Sequence, residues 1–293
     1  MSTSADIAIS EQGNVHHVSP WLPEKTAWTN PVGQLFIALL AWIASVVLLI
    51  LPQFLAIPYL ALHYRNSQPT AEILLANKTF ILMMVAGVLP VHVMTMTIVW
   101  LVATRFGEVS IVEGLGLTWN GKFRHMLPFS IGLAVLLYVA AVLIIRQFGG
   151  QGTALDKLVE SSRAAALTIA FLAVATAPIV EESIYRGILY PAFERISNAK
   201  VAVILVTVLF AVPHVPQYWP NIAIIGSITL LSVVLTILRA YTGRLLPCIV
   251  VHFVFNGIQS IIIVLEPYLR AALEYMRHAR PGGLILRSLT NLH

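Results

Sequence analysis

Two adjacent glutamates, Glu181 and Glu182, lie within an apolar part of the chain, and Arg186 follows four residues after the second. The preceding residues, 164–180, carry no charge. An acidic side chain inside a membrane costs roughly 2.5–3.5 kcal/mol on insertion scales, so such residues are typical of functional sites. Side chains four positions apart share one face of a helix, whereas adjacent side chains point in different directions. We therefore expect Arg186 to pair with Glu182 and to leave Glu181 free for chemistry.

Further polar residues lie within apolar stretches later in the chain. His214 is predicted to end one stretch, in the sequence Phe210-Ala-Val-Pro-His214. Pro213, directly before it, is expected to perturb that helix end. His252 and Asn256 lie four positions apart on a later stretch and are predicted to project from it together.

These side chains could hydrolyse an amide bond in two ways. A carboxylate beside a histidine can take a proton from water, and histidine and asparagine can donate hydrogen bonds to the resulting oxyanion. Alternatively, Glu181, His214 and His252 could hold zinc with one position open for water. Both mechanisms use the same side chains, so the sequence leaves both open. We favour the metal-free mechanism because the neutral amide of Asn256 suits an oxyanion donor better than a ligand.

The composition indicates the elements that must position these residues. Of 293 residues, 58% are hydrophobic and 11% are charged, whereas a soluble domain is about 25% charged. A membrane span needs about 20 mostly apolar residues. The stretches that qualify are 34–62, 79–103, 126–145, 164–193, 199–214, 222–238 and 246–265.

The predicted fold is all-α, a multi-pass transmembrane helical bundle of about seven to eight spans with a polar intramembrane cavity. The uncertainty in number comes from Pro52 and Pro58, which could divide the first stretch into a span and a re-entrant piece. Lys and Arg divide equally between the two sides of a seven-span bundle, so the positive-inside rule gives no orientation. His92, in the second stretch, is predicted to be packed or to face a pathway, without a catalytic role.

The chain is predicted to have four parts. Residues 1–33 form a polar N-terminal tail, 34–163 the first three spans with their loops, 164–265 the catalytic helices, and 266–293 a basic C-terminal tail. Within this last tail, residues 269–276 are predicted either as a helix on the membrane surface or as a frayed end.

Several classes of protein are excluded or disfavoured by the sequence. The net charge of +5 is small, and basic residues normally flank membrane spans, so no nucleic-acid partner is expected. There is no His-Glu-x-x-His run, no Gly-x-Ser-x-Gly elbow and no nucleotide-binding fingerprint. No aspartate lies inside a predicted span, which excludes an aspartyl dyad. The single cysteine, Cys248, is predicted to be a small packed hydrophobe.

Three motifs follow one another on successive predicted helices. They are Glu-Glu-x-x-x-Arg at 181–186, Phe-x-x-x-His at 210–214 and His-x-x-x-Asn at 252–256. In this order they resemble the CPBP family, which includes the CAAX prenyl proteases of the Rce1 type and the Abi bacteriocin-processing or immunity proteins. The segment Tyr-Thr-Gly-Arg-Leu at 241–245 is also similar to the family pattern. The resemblance covers residues 164–265, and the first three stretches carry no recognised motif.

The resemblance implies an intramembrane endopeptidase. By position in the motifs, Glu181 and His214 would activate water, His252 and Asn256 would stabilise the oxyanion, and Glu182 would be a supporting acid held by Arg186. In the prenyl proteases the substrate is a C-terminal Cys-a-a-X sequence whose cysteine carries an isoprenoid, and the last three residues are removed.

The expected partners are membrane lipids and a lipidated or membrane-embedded peptide substrate, while the oligomeric state is not predicted. A prokaryotic plasma membrane is the favoured location, or the endoplasmic reticulum if the source is eukaryotic. One alternative is a non-catalytic membrane scaffold or a bacteriocin-immunity protein of the Abi type. Another is a transporter that uses Glu181, Glu182 and Arg186 as an ion relay.

Overall fold

The computed structural model of the protein describes residues 30–65, 67–119 and 123–279. Most of the predicted N-terminal tail and the end of the C-terminal tail, including Arg280 and Arg287, lie outside these residues. Within the described parts of the chain the secondary structure is helical and contains no strand, which confirms the all-α prediction.

The helices alternate between long spans and short connecting elements. In chain order they are Pro31–Leu48, Leu51–His63, Ala71–Ala76, Lys78–Ala86, Val88–Ala103, Ile111–Leu115, Phe123–Phe148, Ala154–Ser161, Arg163–Phe171, Leu172–Thr176, Ala177–Glu182, Ser183–Leu189, Tyr190–Ile196, Ala199–Tyr218, Ile222–Thr242 and Leu246–Ala279.

Seven stretches of the described chain are long and apolar enough to cross a membrane, which confirms a multi-pass bundle. Numbered as spans 1 to 7, they are Pro31–His63, Lys78–Ala103, Arg124–Phe148, Arg163–Ile196, Ala199–Tyr218, Ile222–Thr242 and Leu246–Arg277. Span 1 consists of two helices end to end, and the second begins at Leu51, next to Pro52. Proline is well tolerated in the first turn of a helix, so the chain restarts there as a helix instead of leaving the span.

Two predicted helix ends are wrong, and both helices are longer than expected. Span 5 continues past His214 to Tyr218, although Pro213 and Pro216 each remove a backbone donor. Within this part of the helix, Nδ1 of the His214 ring lies 2.7 Å from the carbonyl oxygen of Phe210.

The seventh span also exceeds its predicted end at residue 265. Its helix runs without interruption to Ala279, so residues 269–276 are helical and continue the span instead of forming a separate surface element. Pro267 lies inside this helix and removes one backbone hydrogen bond. Glu266, just before it, and Arg270, just after it, form an ion pair along the same helix.

Buried apolar side chains join the spans in three clusters within the described chain. One cluster lies between spans 1, 2, 4 and 5, a second between spans 3, 6 and 7, and a third between spans 2 and 4. Cys248 is fully buried in the second cluster, as predicted. Because span 4 belongs to two of the clusters, it is surrounded by other helices and can carry polar side chains away from lipid.

Span 4 is not a uniform α-helix. Two π-helical segments, Leu172–Thr176 and Ser183–Leu189, lie on either side of the short α-helix Ala177–Glu182, which carries both glutamates. In the first of them the N–H of Ala177 bonds to the carbonyl of Leu172, five residues back. The next N–H along the chain is missing because residue 178 is proline, so the carbonyl of Ala173 is available to a side chain.

Candidate active site

A buried ion pair lies at the innermost end of the site. Arg186 Nη1 lies 2.9 Å from Glu182 Oε1, and both side chains are fully buried. This confirms the pairing predicted from their spacing. The other guanidinium nitrogens reach span 6, with Nε 3.1 Å from Thr236 Oγ1 and Nη2 2.7 Å from Ser232 Oγ. Sequence reasoning missed these two residues, although their own spacing of four places them on one face of span 6.

Aromatic rings enclose the arginine on its other side. The guanidinium carbon of Arg186 lies 4.7 Å from the centre of the Phe210 ring, a cation–π arrangement. Phe210 in turn packs edge-on against Tyr185 at 4.9 Å, and Tyr185 accepts a hydrogen bond of 3.2 Å from Trp42 in span 1. The charge pair is therefore fixed by contacts from spans 1, 4, 5 and 6, and it has little freedom to move.

His252 connects the ion pair to the second glutamate. Its Nδ1 lies 2.8 Å from Glu182 Oε1, and its Nε2 lies 3.8 Å from Glu181 Oε2. An ionised carboxylate can only accept a hydrogen bond, so the proton sits on Nδ1 and the ring is oriented with Nε2 towards Glu181. Glu182 thus holds His252 as well as Arg186, a contact that the sequence did not predict. Its second oxygen, Oε2, has no hydrogen-bond partner among the described residues.

Glu181 differs from its neighbour in exposure. Its side chain is 25% exposed, while that of Glu182 is fully buried. Because neighbouring helical positions point in different directions, one carboxylate faces the interior network and the other faces an opening. The separation predicted between a structural and an accessible glutamate agrees with this geometry, and the catalytic role of Glu181 stays a prediction.

His214 approaches the same region from span 5. A carbonyl oxygen can only accept, so the 2.7 Å contact with Phe210 requires the proton on Nδ1 and leaves the lone pair on Nε2. The Phe210 ring lies 4.8 Å from the His214 ring and 6.2 Å from the His252 ring, so both imidazoles border one aromatic residue. Within the described residues His214 forms no hydrogen bond or ion pair with Glu181.

Asn256 joins spans 7 and 4. Its amide nitrogen Nδ2 lies 2.9 Å from the Ala173 carbonyl, the group left available by the missing N–H of Pro178. The amide carries two N–H groups, and this bond uses one of them. His252 and Asn256 thus both project towards span 4, as their spacing predicted.

The three side chains considered as zinc ligands are not gathered into a metal site. Among the residues that the structure describes, no group of three or more His, Cys, Asp or Glu side chains is placed to hold a metal ion. His252 and His214 each use Nδ1 in a bond to the protein. The Nε2 atoms of both histidines are not used by these bonds, and histidines that ligate a metal commonly bond the protein through their other nitrogen. The choice between the zinc and the metal-free mechanism therefore stays open.

An apolar groove of about 540 Å³ runs between spans 2 and 4 next to the site. Its wall on span 4 includes Ile179 and Val180, which directly precede Glu181. His92 also lines the groove, and its Nδ1 lies 2.7 Å from Thr176 Oγ1 in the first π-helical segment. Ile179 is 45% exposed, so the groove is open along the side of the bundle.

The fold and the buried cluster define an integral, multi-pass membrane protein with a polar site inside its helical bundle. The family model described as type II CAAX prenyl endopeptidase, Rce1-like, matches residues 163–258. This match covers spans 4 to 6 and the first part of span 7, and it confirms the resemblance predicted from the three motifs. The family suggests a CAAX-type intramembrane protease. Comparison with the curated proteins gives no match, and comparison with the solved structures gives none either.

Proposed function

We propose that the protein is an intramembrane endopeptidase that cleaves a peptide bond near a lipidated, Cys-a-a-X-like segment or another membrane-embedded segment. The observation that carries this proposal is the position of Glu181. It is a partly exposed carboxylate beside His252, whose orientation is fixed by the fully buried Glu182–Arg186 pair. A free carboxylate next to an oriented imidazole is the arrangement that general acid–base catalysis requires.

In the proposed reaction, Glu181 and His214 together activate one water molecule and remove one proton from it. The water oxygen then attacks the carbonyl carbon of the substrate. His214 suits a base because its Nδ1 proton is held on Phe210 and its Nε2 is free to accept. Collapse of the tetrahedral intermediate breaks the C–N bond, and the proton passes to the leaving amine.

His252 and the second N–H of Asn256 would stabilise the oxyanion. To donate from Nε2 while Nδ1 stays on Glu182, His252 must carry both ring protons, that is, a positive charge. The buried carboxylate of Glu182 supports that charge at 2.8 Å. Glu182 thus acts on the reaction through His252, as a positioning residue.

The groove between spans 2 and 4 supports an apolar substrate. It is lined on the side of span 2 by Leu89, Val93, Met96 and Trp100, and on span 4 by residues up to Val180, which directly precedes Glu181. An isoprenoid or a transmembrane peptide could lie there without leaving the bilayer. The scissile bond would then lie near the site.

The proposal is tested with the purified full chain in lipid nanodiscs and a prenylated Cys-a-a-X peptide. Glu181→Gln keeps the shape of the side chain but removes the base, and we expect cleavage to fall about 10²–10⁴-fold. Glu160→Gln, which removes an exposed acid, serves as the control. If Glu181→Gln is folded and cleaves at the unaltered rate, Glu181 is not the base.

The metal-free mechanism has its own test. We expect protein purified without added metal to contain no stoichiometric zinc in elemental analysis and to keep its activity in chelator. Stoichiometric zinc together with chelator inhibition would overturn this mechanism.

One observation favours the alternative of a non-catalytic scaffold or Abi-type immunity protein. Asn256 and His252 both join spans 7 and 4, which is a structural use of two motif residues. In that case His252→Gln would weaken the bundle, whereas Glu181→Gln would leave biological function intact in the source cell. Loss of function in Glu181→Gln at normal protein level would exclude it.

We place the protein in a prokaryotic plasma membrane, or in the endoplasmic reticulum of a eukaryotic source. The short connections between the spans support the prokaryotic location. Fractionation of source-cell membranes with an antibody to the chain tests it.

A further inference from the structure

A second buried basic cluster lies at one end of the bundle. Arg105 and Arg239 are 5% and 4% exposed, and both line a cavity of about 90 Å³. The cavity lies between the ends of spans 1, 2, 4 and 6, and its other polar side chain is that of Gln34. None of the described residues that line it carries an acidic side chain.

The backbone around Arg105 is held in an unusual conformation. Arg105 and Phe106 have φ values of 54° and 60°, so two consecutive non-glycine residues lie in the left-handed region. This conformation is sterically unfavourable for a residue that carries a Cβ atom. It reverses the chain directly after span 2, so that Arg105 is buried in the cavity wall while Phe106 is 70% exposed. The two residues form the C-cap of span 2, in which the N–H of Phe106 bonds to the carbonyl of Leu101 and the N–H of Arg105 to that of Val102.

Arg239 has no carboxylate within ion-pair distance among the described residues, and it bonds to a backbone carbonyl. Its Nη1 donates to the carbonyl of Gly243 at 2.7 Å, and it forms no ion pair with a described carboxylate. Glu194, an acid at the same end of span 4, instead accepts a hydrogen bond of 2.7 Å from Tyr190. A guanidinium has five N–H donors, and a single carbonyl does not neutralise its charge. Glu194 acts on Arg239 only from beyond ion-pair distance, so an anion in the cavity would further stabilise the buried charge.

The polar side chains that line the cavity come from the ends of spans 1, 2 and 6. Span 2 ends at Ala103, span 6 ends three residues after Arg239, and span 1 begins three residues before Gln34. A helix rises 1.5 Å per residue, so these side chains start within roughly 5 Å of the span ends. A single water needs roughly 10–15 Å³ of such a cavity, so about 90 Å³ admits a compact group of several atoms.

We propose that this cavity binds the phosphate of an anionic phospholipid headgroup, with Arg105 and Arg239 as its donors. Guanidinium groups match phosphate in geometry as well as in charge. Basic pockets between membrane helices are suited to lipid headgroups. This inference is independent of the proposed protease activity.

The test measures lipid binding by the full chain in nanodiscs of phosphatidylcholine alone or mixed with phosphatidylglycerol. Native mass spectrometry after release from the disc counts the lipids that stay bound. We expect the unaltered chain to retain phosphatidylglycerol in preference to phosphatidylcholine. In Arg239→Gln the affinity for phosphatidylglycerol should fall roughly tenfold or more, because a charge-assisted contact is lost. Arg270→Gln, which removes an exposed arginine, should not change it.

The following outcomes would contradict binding of a phospholipid headgroup. Equal retention of both lipids by the unaltered chain, or unchanged retention in folded Arg239→Gln, overturns the proposal. If inorganic phosphate alone competes fully at equal concentration, the cavity is a small-anion site and the lipid assignment is wrong. If Arg239→Gln does not fold, Arg105→Gln replaces it, and we expect the same loss of affinity for phosphatidylglycerol. The preference of the unaltered chain for phosphatidylglycerol is measured without any variant.

Discussion

Arg186 and Arg239 are both buried arginines, but their charges are met in different ways. Arg186 is fully buried, ten residues before the end of span 4, and pairs at 2.9 Å with a carboxylate one turn away on its own helix. Arg239 lies in the last turn of span 6 and bonds to a backbone carbonyl beside a cavity. A charge deep in the bundle needs a partner within the chain, whereas a charge at a span end can take one from the membrane. The first arrangement makes the site rigid, and under the lipid binding proposed above the second would let lipid stabilise one end of the bundle.

The largest expected loss of stability follows from breaking the Glu182–Arg186 pair. Arg186→Met leaves the carboxylate of Glu182 buried without compensation, and we expect a loss of about 3–5 kcal/mol in the free energy of unfolding. Unfolding by SDS in mixed micelles measures it. Arg270→Met breaks an exposed pair at the end of span 7 and should cost less than about 1 kcal/mol.

A double variant sharpens the result. Adding Glu182→Gln to Arg186→Met removes the uncompensated charge, while the amide oxygen at position 182 can still accept from His252. We expect most of the lost stability to return, because a buried pair removed as a unit is often nearly neutral. If the losses simply add, the two side chains do not act as a pair.

A smaller effect is expected where span 6 supports Arg186. Thr236→Val removes the acceptor 3.1 Å from Nε and leaves a buried N–H of a charged group without a partner. The expected loss is about 1–3 kcal/mol in the same unfolding assay. Thr229→Val makes the same chemical change on span 6 at a residue bonded only to its own helix, and should have little effect.

The smallest effect is expected at Arg239 in lipid-free detergent. Arg239→Met removes a buried charge together with one bond to Gly243, and these contributions oppose each other. We expect the free energy of unfolding to change by no more than about 1 kcal/mol. If Arg239→Met lost as much free energy of unfolding as Arg186→Met in the same assay, the chain itself would compensate the charge of Arg239. The two buried arginines would then not differ in the way described.

The sequence predicted those features that depend on neighbours along one helix. The seven spans follow from the length of the apolar stretches. Helical spacing predicts the Glu182–Arg186 pair and the shared face of His252 and Asn256. The Rce1-like match agrees with the motifs, although the catalytic roles assigned to these residues stay predictions.

Features that depend on packing between helices were not predictable in the same way. The contact of Glu182 with His252 joins residues 70 positions apart. Arg105 and Arg239 become neighbours only because four span ends meet at one cavity. The end of span 5 was misplaced because prolines usually indicate a helix end, whereas this helix contains both Pro213 and Pro216 and continues to Tyr218.

The widened turns of span 4 affect how sequences of this kind are aligned. A π turn holds more residues than an α turn, so it can absorb one inserted residue while the helix continues on both sides. The segments Leu172–Thr176 and Ser183–Leu189 are therefore places where a homologous chain can be one residue shorter and still present its acidic pair in the same direction. A gap in an alignment belongs inside this span, next to the glutamates, and forcing it into a loop would assign the wrong residues to the site.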